Sequence, residues 1–310
     1  MLQAQLIDKP LLTEVGQIAR EIGNTPLLRI DFLSNDDVQV MAKAEWMQLS
    51  GSVKARAAYH IIRRAVIQGW LHRERRLLDA SSGNTAIAYA TILKQLGIGC
   101  TICLPSNASA QRISMLERLD AEIVLTSPFE GTEGAQAEAR RLAAAHPDRY
   151  YYADQYSNPA NIEAHYHGTA LEVLEQTSGE LTHFVAGLGT TGTFSGSASR
   201  LKRHNVRTIA LQPDGPLHIM EGWKHLETAD VPSIYTPDLV DEMLEVSSED
   251  AMAMISTFAD REGIRISPSS AANLVGAQRI AGQLDSGIVV TVLPDSIERY
   301  AEIEKELFGS

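Results

Sequence analysis

Basic residues are scarce in this chain of 310 residues: 27 Lys and Arg stand against 39 Asp and Glu, and the formal net charge is −12. Nucleic-acid phosphates and anionic membranes are bound by clustered Lys and Arg, so neither is expected as a partner. No stretch reaches the roughly 18 apolar residues that a membrane-spanning helix needs. The first ten residues lack the charged and then apolar pattern of a secretion signal. We therefore expect a soluble, cytoplasmic protein.

Cysteine is rarer still, with only Cys100 and Cys103 in the chain. Both lie in an apolar, β-branched run that ends at Leu104-Pro105 and predicts a buried strand. Residues three apart on a strand point to opposite faces, so the two sulfurs are not expected to meet. A metal site would also need a second Cys or His pair nearby. We predict a structural role for both cysteines and no bound metal.

Short apolar runs alternate with longer helical segments, which is typical of α/β proteins whose parallel sheets are covered by helices. Strands are predicted at residues 77–80, 100–104, 122–125, 182–186, 208–212 and 287–293. Helices are predicted at residues 55–67, 85–96, 108–119, 131–145, 158–176, 248–262 and 269–282. With 310 residues and 44% hydrophobic content, two lobes with a cleft between them are expected. Residues 214–238, which have no clear periodicity, predict a variable loop in which His218, Trp223, Lys224 and His225 are surface residues, with contact to the second substrate as the alternative.

Lys54 follows a tight Gly51-Ser52 turn and stands at the start of a helical run. The glycine lets the backbone turn sharply and would aim the lysine into the cleft. An amine placed there could form an imine with an aldehyde, provided its pKa is low enough to leave some free base. Lysines beside helix starts are common and usually solvated, so the importance of Lys54 depends on two downstream segments.

One of these segments is Gly189-Thr190-Thr191-Gly192-Thr193, which follows a predicted strand and opens a helix. A glycine-rich turn at a helix N-terminus offers unpaired N–H groups and the positive end of the helix dipole, which suits a dianionic phosphate. The turn lacks the Gly-Lys-Thr ending of a nucleotide-binding loop and the Gly-x-Gly-x-x-Gly pattern of a dinucleotide site. We predict a phosphate-binding turn, with a plain structural loop as the alternative.

The other segment is Ser81-Ser82-Gly83-Asn84-Thr85, which also lies between a predicted strand and a helix. Its hydroxyls and N–H groups suit a carboxylate, and a simple helix N-cap is the alternative. An imine-forming lysine, a carboxylate-binding turn and a phosphate-binding turn, in this order, predict a pyridoxal-phosphate (PLP) site.

These motifs resemble those of the fold-type II PLP enzymes and, within them, the cysteine synthase (O-acetylserine sulfhydrylase) family, closest to its B-type members. The resemblance runs through almost the whole chain and includes residues 23–27, 155–161, 165–169, 269–270 and 294–300. It implies a two-lobed, tryptophan synthase β-like fold in which each lobe is a mostly parallel sheet flanked by helices. A larger domain of residues 1–45 and 157–310 would bind the cofactor phosphate. A smaller, mobile domain of residues 46–156 would bind the substrate carboxylate.

The resemblance also implies roles for single residues. Lys54 would hold PLP and act as the base that removes the substrate α-proton. Asn84 would bind the ring hydroxyl and Ser269 the ring nitrogen, while the phosphate would be bound by Gly189, Thr190, Thr191, Gly192 and Thr193. The substrate carboxylate would be held by Ser81, Ser82, Thr85 and Gln155. Because a hydroxyl at Ser269 cannot keep the ring nitrogen protonated as an aspartate would, loss of a β-leaving group is favoured over transamination.

The implied activity is a β-replacement in which a homodimer converts an activated L-serine (O-acetylserine or O-phosphoserine) and a sulfur nucleophile into L-cysteine. One alternative is the same fold with another nucleophile, as in cystathionine β-synthases and diaminopropionate-forming synthases. The other is a PLP-binding regulatory homologue without catalytic activity. The chain departs from the family pattern at Gln48-Leu49, where Asn-Pro is usual, and at Ala55, Ala86 and Ala271. The leaving group and the nucleophile therefore stay open.

Overall fold

The computed structural model describes residues 8–81 and 83–309, so the predicted site residue Ser82 lies outside the described residues. The chain forms two compact units. The smaller unit contains residues 8–22 and 54–160, and the larger unit contains residues 23–53 and 161–309. These units differ from the predicted domains at their boundaries and in grouping residues 8–22 with the smaller unit.

Helices and strands alternate as the sequence predicts. The helices of the described residues are α1 (Lys9–Ile18), α2 (Lys54–Ile67), α3 (Asn84–Leu96), α4 (Ala110–Arg118), α5 (Gly131–Ala145), α6 (Pro159–Ala164), α7 (Ala170–Gln176), α8 (Gly192–Leu201), α9 (Ser248–Glu262), α10 (Pro268–Ala281) and α11 (Ala301–Phe308). The strands are β1 (Leu27–Arg29), β2 (Val38–Ala44), β3 (Arg76–Ala80), β4 (Cys100–Pro105), β5 (Glu122–Thr126), β6 (Tyr150–Tyr152), β7 (His183–Gly187), β8 (Arg207–Pro213), β9 (Glu242–Val246) and β10 (Gly287–Leu293). A π-helical turn (His165–Thr169) separates α6 from α7 and interrupts the single helix predicted there.

The smaller unit is built on a four-stranded parallel sheet in the order β5-β4-β3-β6. Its strands β3 and β4 are almost entirely buried, which explains their continuous apolar sequences. The predicted buried strand around the two cysteines is confirmed: Cys100 and Cys103 are both free thiols in β4, and burial raises the pKa of each to about 12. Thiols of that kind are unreactive at neutral pH.

The larger unit is built on a six-stranded sheet in the order β1-β2-β10-β7-β8-β9. All neighbouring pairs are parallel except β1 with β2, which is antiparallel. Alternate residues of one strand enter two different hydrophobic clusters, as Ile209 and Ala210 do in β8. Because successive side chains of a strand point to opposite faces, the sheet is covered by helices on both sides. The predicted α/β class, with two mostly parallel sheets flanked by helices, is confirmed.

Local signals fix where several helices begin and end. Ser247 and Ser267 accept hydrogen bonds from the backbone N–H groups of Asp250 and Ser270, which caps α9 and α10 at their N-termini. Helix α3 ends at Leu96 and is followed by the C-cap residue Gly97, which adopts a left-handed φ of 63°. These short-range interactions explain why the predicted helix limits lie within about two residues of the observed ones.

The predicted variable loop has neither helix nor strand from residue 214 to residue 236. The prediction of a surface position for Trp223 is wrong, because the indole is only 9% exposed and belongs to a hydrophobic cluster of the larger unit. A Cβ at Gly187 would lie 2.6 Å from Trp223 Cη2, so the ring packs directly on the backbone at the end of β7. None of the helices in the part of the chain that the structure describes is long and apolar enough to cross a membrane.

Candidate active site

The turn before Lys54 is held in the larger unit by the segment that follows β10. Gly51 has a φ of 70°, and a Cβ there would lie 2.6 Å from Arg299 Nη2. Arg299 donates to the carbonyl of Ser50, and the N–H of Val53 donates to the carbonyl of Pro294 at 2.9 Å. Lys54 then begins α2 and is half-buried. Gly51 is therefore required because its φ is positive and because a side chain would not fit beside Arg299. The turn fixes the backbone position from which the side chain of Lys54 extends.

Gln48, one of the departures from the family pattern, ties this segment to the Gly23-Asn24-Thr25 motif. Its Oε1 accepts from the N–H of Gly23 at 3.0 Å, and its Nε2 donates to Glu45 Oε2 at 2.9 Å. The other oxygen of Glu45 accepts from the hydroxyl of Thr25 at 2.7 Å. Both Gln48 and Glu45 are buried, so their polar atoms need these partners. Sequence reasoning noted Gln48 only as a departure and missed Glu45.

The predicted carboxylate-binding turn lies where β3 ends and α3 begins. Ser81 Oγ accepts from the N–H groups of Gly83 at 3.2 Å and Ala86 at 3.3 Å, and Asn84 is the first residue of the helix. Thr85 is buried and its hydroxyl donates to Gln155 Oε1 at 2.7 Å. The structure thus brings Ser81, Thr85 and Gln155 together at a helix N-terminus, where the positive end of the helix dipole attracts an anion.

Gln155 is held in place by Asp79, which was not among the residues predicted for the site. Its Nε2 donates to the carbonyl of Ala80 at 3.0 Å, and its backbone N–H donates to Asp79 Oδ2 at 3.3 Å. Asp79 is only 1% exposed, and burial raises the pKa of its carboxyl group to about 7. An acidic residue inside the apolar run that ends at Ala80 was the available signal.

The predicted phosphate-binding turn connects β7 to α8 in the larger unit. Thr191 is the N-cap of α8 and has a φ of 68°, a left-handed conformation that is uncommon for threonine. A Cβ at Gly189 would lie 2.6 Å from the carbonyl oxygen of Gly222, and one at Gly192 would lie 2.5 Å from Asn161 Cγ. Both glycines are therefore required by close packing, since a side chain there would collide with Gly222 or Asn161.

The three threonines of this turn differ in their hydrogen bonding. Thr190 Oγ1 accepts from Asn161 Nδ2 at 3.1 Å, and Thr193 Oγ1 lies 3.3 Å from His165 Nε2 in the π-helical turn. Thr191 Oγ1 is buried and has no hydrogen-bond partner among the described residues. A buried hydroxyl without a partner is costly unless a ligand supplies one. Sequence reasoning missed Asn161 and His165 as supporting residues.

Ser269 lies in the first turn of α10 and is 5% exposed. Four residues further along the same helix, Asn273 Oδ1 accepts from the N–H of Gly187 at the end of β7 at 2.8 Å. Ser270, which directly follows Ser269, donates to the carbonyl of Asp295 at 2.9 Å. Ser269 is thereby placed at the carboxyl end of the sheet of the larger unit, the end that also carries the predicted phosphate-binding turn.

These residues fit a phosphate-bearing cofactor such as PLP. The turn of residues 189–193 opens a helix of 10 residues and contains the unpartnered hydroxyl of Thr191. This donor set is the kind that holds a phosphate group. The structure places Lys54, Ser81, Asn84, Thr85 and Gln155 in the smaller unit, and residues 189–193 and Ser269 in the larger unit. The alanines at positions 55, 86 and 271 are fully buried in helices.

Comparison with known proteins supports the same chemistry. The family model described as "Pyridoxal-phosphate dependent enzyme" matches residues 18–295. The chain is 38% identical to the cysteine synthase of Aquifex aeolicus, over 94% of this chain and 93% of that protein. It is 36% identical to cysteine synthase B of Salmonella typhimurium, over 92% and 94% of the two chains.

Two further relatives show the range of the similarity. The O-acetylserine dependent cystathionine beta-synthase of Bacillus subtilis is 33% identical, with 96% of this chain and 99% of that protein covered. The crystal structure of O-acetyl serine sulfhydrylase isoform 3 from Entamoeba histolytica has a TM-score of 0.87 and 30% identity, with 94% and 91% of the chains covered.

Proposed function

Since this chain belongs to the pyridoxal-phosphate-dependent enzyme family and, within it, to the cysteine synthase family, we propose that it makes L-cysteine from an activated L-serine. In this reaction sulfide replaces the acetate of O-acetyl-L-serine, or the phosphate of O-phospho-L-serine, at the β-carbon. The observation that carries the proposal is the similarity to cysteine synthases, which extends over nearly the full length of both chains.

The residues described above would divide the work of holding the cofactor. When bound, PLP supplies an electron-accepting ring that makes the α-proton of an amino acid acidic. Lys54 would bind the cofactor aldehyde through Nζ and would later hold the α-proton on the same atom. Residues 189–193 would bind the phosphate, Asn84 the ring hydroxyl and Ser269 the ring nitrogen. Because Ser269 Oγ is uncharged, it would not hold a proton on that nitrogen as a carboxylate would.

The smaller unit would bind the amino acid through its α-carboxylate. Ser81, Ser82 and Thr85 would supply donors at the N-terminus of α3, and Gln155 would complete the group from the neighbouring segment. The hydrogen bond from Thr85 to Gln155 supports this role because it links the two segments directly. A helix N-terminus with adjacent hydroxyls binds a carboxylate without needing a basic side chain.

A second candidate function is the transfer of the same activated serine to a larger thiol. It is favoured by the similarity to the Bacillus subtilis protein, whose name states a cystathionine beta-synthase activity that depends on O-acetylserine. The two functions share every residue named above and differ only in the nucleophile. They are therefore distinguished by the product and not by the cofactor site.

The test uses the purified protein loaded with PLP. O-acetyl-L-serine and O-phospho-L-serine are each supplied with sulfide or with homocysteine, and the products are separated and identified by mass. Cysteine formed from one of the serine esters with sulfide supports the proposal, and cystathionine from homocysteine supports the second candidate. A protein that binds PLP but consumes neither ester contradicts both and indicates a regulatory homologue.

We also propose that the protein is a cytoplasmic homodimer, as the family resemblance implies. The two thiols are free and buried, so the fold needs no oxidising compartment. Light scattering coupled to gel filtration tests the dimer, for which a monomer mass is the contrary result. Cell fractionation followed by immunoblotting tests the location.

A further inference from the structure

Asp79 joins two separate segments of the smaller unit from inside its sheet. It is the penultimate residue of β3 and is 1% exposed. Its Oδ1 accepts from the N–H of Ala80 at 2.8 Å, and its Oδ2 accepts from the N–H of Gln155 at 3.3 Å. Since Ala80 directly precedes Ser81, one carboxylate contacts the backbone next to the predicted carboxylate-binding turn and also the backbone of Gln155.

The side chain of Gln155 connects the same two segments a second time. Its Oε1 accepts from Thr85 at 2.7 Å and its Nε2 donates to the carbonyl of Ala80 at 3.0 Å. The orientation of this amide therefore depends on where the backbone of Gln155 lies, and Asp79 Oδ2 holds that backbone. A shift there would be transmitted to Thr85 through a single hydrogen bond.

The groups around Asp79 influence whether its carboxyl group is ionised near neutral pH. They are Tyr89 from α3, Cys100 and Cys103 from β4, Tyr151 and Tyr152 from β6, and Asp154 and Tyr156 from the loop after β6. Burial raises the pKa of Asp79 to about 7 and the Asp154 carboxylate adds to the rise, whereas the N–H group of Ala80, the hydroxyl of Tyr89 and the N–H group of Gln155 oppose it. An ionised carboxyl group accepts at both oxygens, whereas a protonated one has lost part of that capacity.

We propose that Asp79 is a positioning residue for the amino-acid substrate, and that its ionised form holds Ala80 and Gln155 where the Ser81 turn and Thr85 can bind the substrate carboxylate. This inference rests on the proposed function, because it concerns the site of that same substrate. It follows that substrate affinity falls when Asp79 is protonated, while Lys54 and residues 189–193 still hold the cofactor.

The experiment measures binding of L-serine, whose hydroxyl is a poor leaving group, to the PLP-loaded protein by calorimetry between pH 5.5 and 8.5. Wild type is compared with Asp79→Asn, which keeps the shape but has only one acceptor oxygen at every pH. The ratio of the variant Kd to the wild-type Kd removes the titration of serine and of the cofactor. We expect a ratio of about ten at pH 8.5 that falls towards one at pH 5.5.

The matched control is Asp154→Asn. Asp154 is the neighbouring carboxylate but bonds to neither Ala80 nor Gln155 among the described contacts, and asparagine tolerates its φ of 44°. Loss of this charge should leave the Kd at pH 8.5 within about twofold of wild type and move the pH midpoint downward. A constant Asp79→Asn ratio across the pH range overturns the proposal, because general structural damage has no such pH dependence.

A wild-type measurement covers the case in which Asp79→Asn does not fold. Amide hydrogen exchange of Gln155, corrected for its intrinsic rate, should show about tenfold less protection at pH 6 than at pH 8. Equal protection at the two pH values overturns the proposal. If wild type binds no PLP or no L-serine at any pH, the proposed function fails instead, so the two failures are distinguishable.

Discussion

The two turns for which we propose anion binding have the same local structure but are held in place by different contacts. Both follow a buried parallel strand and open a helix, at Ser81 to Thr85 in the smaller unit and at Gly189 to Thr193 in the larger unit. The first is held by hydrogen bonds to Gln155 and to a buried carboxylate, Asp79. The second is held by glycines packed against the carbonyl of Gly222 and the side chain of Asn161.

This difference suits the ligands that we propose for the two turns. A shape maintained by close packing changes little with pH, which suits a cofactor that stays bound. A shape maintained by polar contacts to a group that titrates near neutrality responds to pH, which suits a substrate that must enter and leave. The two turns should therefore fail in different ways when their supports are altered.

The largest expected effect comes from Lys54→Ala, which leaves the supports of both turns untouched. If the turns only bind, and Lys54 performs the proton transfer, the rate of cysteine formation should fall by at least about a thousandfold. Thermal unfolding should stay within a few degrees of wild type, and L-serine should still stabilise the smaller unit. A variant that retains more than a tenth of the wild-type rate would show that the chemistry does not depend on Lys54.

Gly192→Ala tests whether packing supports the phosphate-binding turn. The added Cβ would overlap Asn161, which also donates to Thr190, so the turn must shift. Overpacking of this kind costs about 1–3 kcal/mol, and we expect PLP affinity to fall by up to about a hundredfold. Equilibrium dialysis against PLP measures it. The control is Gly215→Ala, at a glycine in the same unit with no atom within 4 Å of the new Cβ, and equal affinities in the two variants would contradict the packing model.

The pH dependence of stability tests the titratable support of the other turn. The pKa of Asp79 is raised from 3.8 to about 7 by burial, so the folded protein keeps a proton that the unfolded chain loses in this interval. The contribution of Asp79 is thus fully present below pH 4 and is lost as the pH rises towards 7, at up to about 1.4 kcal/mol per pH unit. Urea unfolding of Asp79→Asn should lack this component, so the stability of the variant relative to wild type should increase from pH 4.5 to pH 7.5. Parallel stability curves would contradict the assigned pKa.

The smallest effect is expected from Thr191→Val, which removes the unpartnered hydroxyl of the phosphate-binding turn. Without PLP the variant should be at least as stable as wild type, because a buried group without a partner is lost. With PLP the affinity should fall about tenfold, since one donor to the phosphate is missing. Thr190→Val is the contrasting variant, because that hydroxyl already accepts from Asn161 and its loss should destabilise the free protein. Lower stability of PLP-free Thr191→Val would remove the argument from the unpartnered hydroxyl.

Much of the fold followed from short-range signals, but several elements did not. The edge strands β1, β6 and β9 and the helices α1 and α11 were not predicted, and neither was β2. Strand β6 has only three residues, and β9 contains two glutamates that weaken its apolar pattern. Strand β2 contains Lys43, whose buried ammonium group is satisfied by Glu172 at 2.7 Å, a partner 129 residues away. A strand that depends on such a contact has no clear signal in its own sequence.

The α/β alternation, the two strand-to-helix turns and the position of Lys54 could be predicted from the sequence, because each depends on residues that are neighbours in the chain. Glycine allows a sharp bend, hydroxyls suit a helix N-terminus, and apolar runs form buried strands. Which residues support those turns depends on long-range contacts. Asp79 accepts a hydrogen bond from the backbone N–H of Gln155, which lies 76 residues away in the chain. Asn161 packs on Gly192, and the indole of Trp223 packs on Gly187. These contacts depend on which segments the folded sheets bring together, and no local pattern records that.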